Sequence, residues 1–116
     1  MKKLFVLAIT MLMLILSSAL LAQESKIIET EFKVFGNCGM CKTRIEKAVK
    51  IKEVKYAKWN KETKMLKVAF ESTIDVDSLH KRVAEVGHDT EKFKAKDDVY
   101  AALPKCCLYR DNPTTH

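Results

Sequence analysis

The chain has 116 residues, a formal net charge of +6, 47% hydrophobic and 31% charged residues, and four cysteines. With only 3 glycines and 2 prolines it is neither collagen-like nor low-complexity, and its length holds one small domain around one core rather than two. The basic excess is mild and is not the footprint of a nucleic-acid binder.

In chain order, Lys2 and Lys3 open a stretch that is apolar from Leu4 to Ala22 except for Thr10, Ser17 and Ser18. A basic start, an apolar middle and small residues at the end read as a secretory signal peptide over residues 1–22. Cleavage is expected after Ala22, with Ala19 as the alternative. The competing reading is an uncleaved anchor, since a spanning helix needs roughly 20 apolar residues; the membrane is a partner only in that case. No cysteine precedes Cys38, so no lipid-modified cysteine closes the signal. The expected location is therefore periplasmic or otherwise exported. Without Lys2 and Lys3, the remaining 94 residues carry 19 basic and 15 acidic side chains, a net charge of +4.

Ile28, Thr30, Phe32 and Val34 alternate with Glu29, Glu31, Lys33 and Phe35, which predicts a strand through about Phe35. Gly36 and Asn37 break it. From Cys41 the apolar positions Ile45, Ala48, Val49 and Ile51 recur at helical spacing among Lys42, Arg44, Lys47 and Lys50, an amphipathic helix. Val54 to Trp59 and Met65 to Phe70 read as two strands joined by a turn over residues 60–63. Val76, Leu79, Val83 and Val86 predict a second helix, capped by Asp75 or Thr73 and ended by Gly87. Asp89 to Ala95 reads as a weak fourth strand whose lysines suit a sheet edge.

The order βαββαβ, with right-handed crossovers, predicts an α+β ferredoxin-like sandwich. Its four-stranded antiparallel sheet carries both helices on one face. The domain spans residues 23–95, followed by a cysteine-containing extension over 96–116. That architecture alone selects no function.

Chemistry enters with FGNCGMCKTRI at residues 35–45. Cys38 and Cys41 sit where a strand gives way to a helix, and the unpaired N–H groups and positive dipole end there favour thiolate over thiol. Thiolate is both a nucleophile and a soft-metal ligand, so the pair alone leaves a metal clamp, a redox couple and a structural disulfide open.

The segments FKVFGNCGMCKTRIEKAV, VKYAKWNKETKMLKVAF and LHKRVAEVGHD together resemble the heavy-metal-associated domains of copper chaperones, metal-transport ATPases and periplasmic mercury-binding proteins. The resemblance covers about residues 28–95. It implies a non-enzymatic carrier in which Cys38 and Cys41 hold Cu(I), or alternatively Hg(II), and pass it on by ligand exchange; a four-ligand pocket of thiolates and His88 would also suit Zn(II). Its implied partner is a metal-transporting membrane protein or another metal carrier. The loop departs from the family pattern: it is one residue shorter, and the methionine that precedes the first cysteine there is absent. Met40 between the cysteines reads as a loop apolar group, with an auxiliary thioether contact as the alternative, and Gly36 and Gly39 are expected to give the tight loop its freedom. The alternative function is an exported thiol-disulfide oxidoreductase, although Pro104 and Pro113 lie in the tail and neither is placed to face a disulfide.

By topology the loop after the second helix lies on the same sheet edge as the cysteines. That brings His88 toward them as a third ligand or as a donor to one; His80 reads as a helix-surface residue. The tail carries adjacent Cys106 and Cys107, which do not readily pair with each other. Asp97 to Leu103 could form a short helix stopped by Pro104. To reach the loop the tail must return the length of a strand, roughly 17 to 20 Å, which a short helix and a few extended residues can span. Cys106 and Cys107 then add ligands to the first site, form a separate site with His116, or make structural disulfides. The basic face of the first helix reads as solvated, or as a dock for an acidic partner.

Overall fold

A computed structural model describes residues 1–21 and 25–111. The expected cleavage point after Ala22, and His116, lie outside the described residues. The elements run α1 (Lys2–Leu21), β1 (Ile27–Lys33), α2 (Gly39–Ala48), β2 (Val54–Trp59), β3 (Met65–Glu71), α3 (Val76–Glu85), α4 (Asp97–Ala101) and a 3-10 turn (Lys105–Cys107).

The three strands form an antiparallel sheet in the order β1-β3-β2. Phe32 lies opposite Leu66, Thr30 opposite Val68 and Ile28 opposite Phe70, while Trp59 pairs with Leu66 on the other side. This register sends Phe32, Leu66, Val68, Phe70 and Trp59 to one face, where they bury with Ile45 and Val49 from the α2 segment and Leu79 and Val83 of α3. Glu29, Glu31 and Lys67 stay exposed on the other face. The alternation read from the sequence therefore sets which side of the sheet meets the helices.

The β2–β3 turn is held by Asn60, whose Oδ1 accepts from the Glu62 and Thr63 N–H groups at 2.8 and 3.0 Å. The chain then passes through Lys64 in the left-handed region, φ 64°. Asp75 caps α3 by accepting from Asp77 N–H, and Gly87 ends it at φ +103° with Leu103 packed where a β-carbon would be. Both signals were legible.

The expected fourth strand is not formed. Only Thr90 bridges, to Val34, so the regular sheet among the described residues has three strands. The cause is local: the Thr90 hydroxyl accepts from Lys92 and Phe93 N–H at 3.2 and 3.0 Å, and Thr90 N–H donates to Phe93 O at 2.8 Å. The chain turns after one bridge, before a ladder can extend.

His80 is not on the surface. It is 4% exposed, stacked on Phe32 with centroids 3.8 Å apart, and its Nδ1 lies 2.7 Å from Thr90 Oγ1.

The tail folds back onto the domain. Tyr100, Leu103, Cys107 and Tyr109 join the common core. Tyr109 Oη donates to Gly87 O and accepts from Asp89 N–H, each at 2.7 Å. Arg110 grips both Asp89 carboxylate oxygens at 3.0 and 2.7 Å, donates to Ala95 O and lies 4.2 Å from the Tyr100 ring centroid. Bidentate pairing of this kind fixes orientation as well as energy.

Candidate metal centre

Cys38 is the N-cap of α2, in extended backbone, and its carbonyl accepts the first helical bond from Lys42 N–H at 3.1 Å. Cys41 lies one turn inside. Gly36 is required for space rather than for unusual backbone: a β-carbon there would sit 3.0 Å from Cys41 Cβ and 3.2 Å from the Trp59 ring. Gly39 faces open space, and neither has positive φ, which corrects the expectation that this pair supplies backbone freedom. Trp59 Nε1 donates to Val34 O at 3.0 Å, fixing the wall behind the loop.

The latched tail delivers two more sulfurs. Cys38 Sγ lies 3.4 Å from Cys41 Sγ, 3.3 Å from Cys106 Sγ and 3.4 Å from Cys107 Sγ. Cys38, Cys41 and Cys107 are buried with their sulfurs all within 4.8 Å of one another. Cys106 is half-buried beside them, with its sulfur 3.6 Å from Met40 Sδ. Tetrahedral thiolates around a zinc ion at about 2.3 Å stand about 3.8 Å apart, and the contacts that Cys38 makes are a little shorter than that spacing, while Cys106 falls outside the mutually close group of Cys38, Cys41 and Cys107.

Burial opposes ionisation of Cys38, but the Cys41 N–H and the thiols of Cys106, Cys41 and Cys107 outweigh it and hold its pKa at about 7. Burial pushes Cys107 well up, reinforced by Cys41 and opposed by Arg44, whose Nη1 is 3.4 Å from Cys107 Sγ. Asn37 N–H donates to Cys41 Sγ at 3.3 Å. Burial lowers the pKa of Lys64, while the charges of Cys41 and Cys38 favour its ammonium form. One thiolate is thus ready at neutral pH, and cations stand by for the charge that ligation creates.

His88 is fully buried. Its Nδ1 meets Phe35 O at 2.8 Å, which makes Nδ1 the protonated nitrogen, and its ring stacks on Tyr109 at 5.5 Å. Nε2 has no hydrogen-bond partner among the described residues, and burial pulls the pKa down to about 4. The group of mutually close ligand atoms comprises Cys38, Cys41 and Cys107 and does not include His88. Tyr109 and Arg110, which position the tail, carried no signal in the sequence beyond their place in CCLYR.

No protein-family model matches the sequence, and no curated protein does. Solved structures do match. A CopZ metallochaperone is 26% identical with a TM-score of 0.52, over 54% of this chain and 98% of that one. Oxidized MerP from Ralstonia metallidurans CH34 is 25% identical with a TM-score of 0.53, over 57% and 96%. A putative copper-ion-binding protein from Bacillus anthracis str. Ames shares the fold at 22% identity and a TM-score of 0.54, over 57% and 97%. The resemblance to heavy-metal-associated domains read from the sequence is thus present in the structure. Each neighbour is covered almost end to end by little more than half of this chain, so the chain carries segments that they lack.

Proposed function

We propose that this protein is an exported carrier of a soft cation, Cu(I) before Hg(II) or Zn(II). Cys38, Cys41 and Cys107 hold the cargo, and a partner carrier or membrane transporter receives it by thiolate exchange. The observation that carries this reading is the meeting of three buried sulfurs from two distant parts of the chain within 4.8 Å. Thiolate donors select soft d10 ions, and likeness to a metallochaperone supports carriage rather than catalysis. Cys106 stands at the mouth of the site. His88, stacked on Tyr109, is not among the mutually close ligand atoms. Export is supported by α1, whose Leu4, Phe5, Leu7 and Leu12 are all exposed, as suits a segment recognised and removed during secretion.

Anaerobic competition against a chromophoric Cu(I) chelator tests the reading. The protein is expected to strip the chelator and Cys38→Ser to fail; a native chain that leaves the chelator loaded refutes it. A pKa of about 7 at Cys38 beside Cys41 also suits thiol-disulfide exchange, and turnover in an insulin-reduction assay would favour that oxidoreductase reading.

A further inference from the structure

The one-ion reading leaves two sulfurs unused. Cys38 is a hub, within 3.4 Å of three other cysteine sulfurs. Cys106 lies outside the mutually close group of Cys38, Cys41 and Cys107, yet it touches Cys38 at 3.3 Å and the Met40 thioether at 3.6 Å. Met40 is 53% exposed, and its sulfur meets the tail across 66 residues of sequence. Five sulfurs thus form two overlapping sets: Cys38 stands in both, Cys106 also lies 3.8 Å from Cys107, and Met40 joins through Cys106.

We infer that the centre takes two soft monovalent ions, with the Cys38 thiolate bridging them. This rests on the carrier reading above. The inner ion is held by Cys38, Cys41 and Cys107, and the outer by Cys38, Cys106 and Met40. A thiolate keeps lone pairs after binding one ion and can bridge a second. Three donors per ion suit a d10 monovalent cation, whereas two zinc ions would each call for four, and a thioether donor selects Cu(I). Ligation releases the cysteine protons to solvent with no change of oxidation state. The four thiolates and two Cu(I) ions carry a charge of about −2 by simple valence, and Arg44 lies 3.4 Å from Cys107 Sγ to offset part of it. The outer position faces solvent through Met40 and half-buried Cys106, so it is the one an incoming partner thiol reaches first. The inner ion follows once the outer has left.

The test is anaerobic Cu(I) titration of the full chain in mild detergent, read by native mass spectrometry with increasing Cu(I) chelator. Two Cu(I) per monomer are expected, with the outer ion removed at about tenfold lower chelator than the inner. Stoichiometry falls to one in Met40→Leu with Cys106→Ser, both substitutions at the surface of the site. Three results overturn the two-ion assignment while leaving the carrier reading intact: a single Cu(I) in the native chain, a double variant that retains two ions, or two ions found only in a dimer. Failure to bind any Cu(I) defeats both.

Discussion

At the scale of single residues, Cys38 is the group that makes the site reactive. With a pKa of about 7, its thiolate fraction rises through neutrality. Peptide mapping of iodoacetamide labelling in the metal-free protein should show half-maximal Cys38 modification near pH 7; a midpoint at the ordinary thiol value of about 8.5 contradicts this. His88 makes a separate prediction about stability. Folded His88 stays neutral down to about pH 4, whereas an unfolded histidine takes its proton near 6.5. The unfolded chain therefore binds the extra proton in that window, and stability falls as pH drops from about 6.5 towards 4. His80, lowered by burial, acts in the same direction. The loss from His88 amounts to about 2 to 3 kcal/mol. Urea midpoints at pH 7 and 4.5 measure it, and His88→Gln should flatten the profile; an unchanged slope in the variant assigns the effect elsewhere. Spacing made Cys38 and Cys41 legible in the sequence. It did not reveal the burial of His80, because a histidine within a helix reads as polar until Phe32 and Thr90 are seen to cover it.

At the scale of elements, the tail behaves as a latch whose sequence gave little notice of it. The distance argument showed that Cys106 and Cys107 could reach the loop, but Arg110 and Asp89 are 21 residues apart and meet only after α4 has turned the chain. Arg110→Ala leaves the half-buried Asp89 carboxylate short of its main partner, at a cost of about 1 to 3 kcal/mol. Calorimetry should show a drop in melting temperature, and chelator competition should show weaker Cu(I) binding because Cys107 is no longer held in place. A variant that melts early yet binds normally separates the latch from the site. Gly87→Ala should cost at least about 1 kcal/mol, since it meets both a positive φ and Leu103 at 3.0 Å; the melting temperature checks it. The missing fourth strand has the same kind of cause as the hidden latch, because Asp89 to Ala95 alternates plausibly while the Thr90 hydroxyl captures two N–H groups and ends the pairing.

At the scale of the molecule, hydrophobic period placed β2, β3 and α3 to within a residue, and β1 and α2 to within two or three at their ends, because each has one face that must meet the core. The sulfur cluster was legible only in half, since proximity across 69 residues is a property of the assembled fold. Among the described residues the principal packing joins β1 and β2 to β3, and α2 to β2, α3 and the 3-10 turn, and does not involve α1. A chain beginning at Gln23 should therefore keep the melting temperature and sulfur chemistry of the longer one, which calorimetry and thiol titration can compare. The account as a whole stands on the convergence of loop and tail sulfurs on one ion. X-ray absorption of protein carrying one equivalent of Cu(I) should find three sulfur neighbours and no nitrogen; two sulfurs alone, or a histidine nitrogen bound to copper, would contradict it.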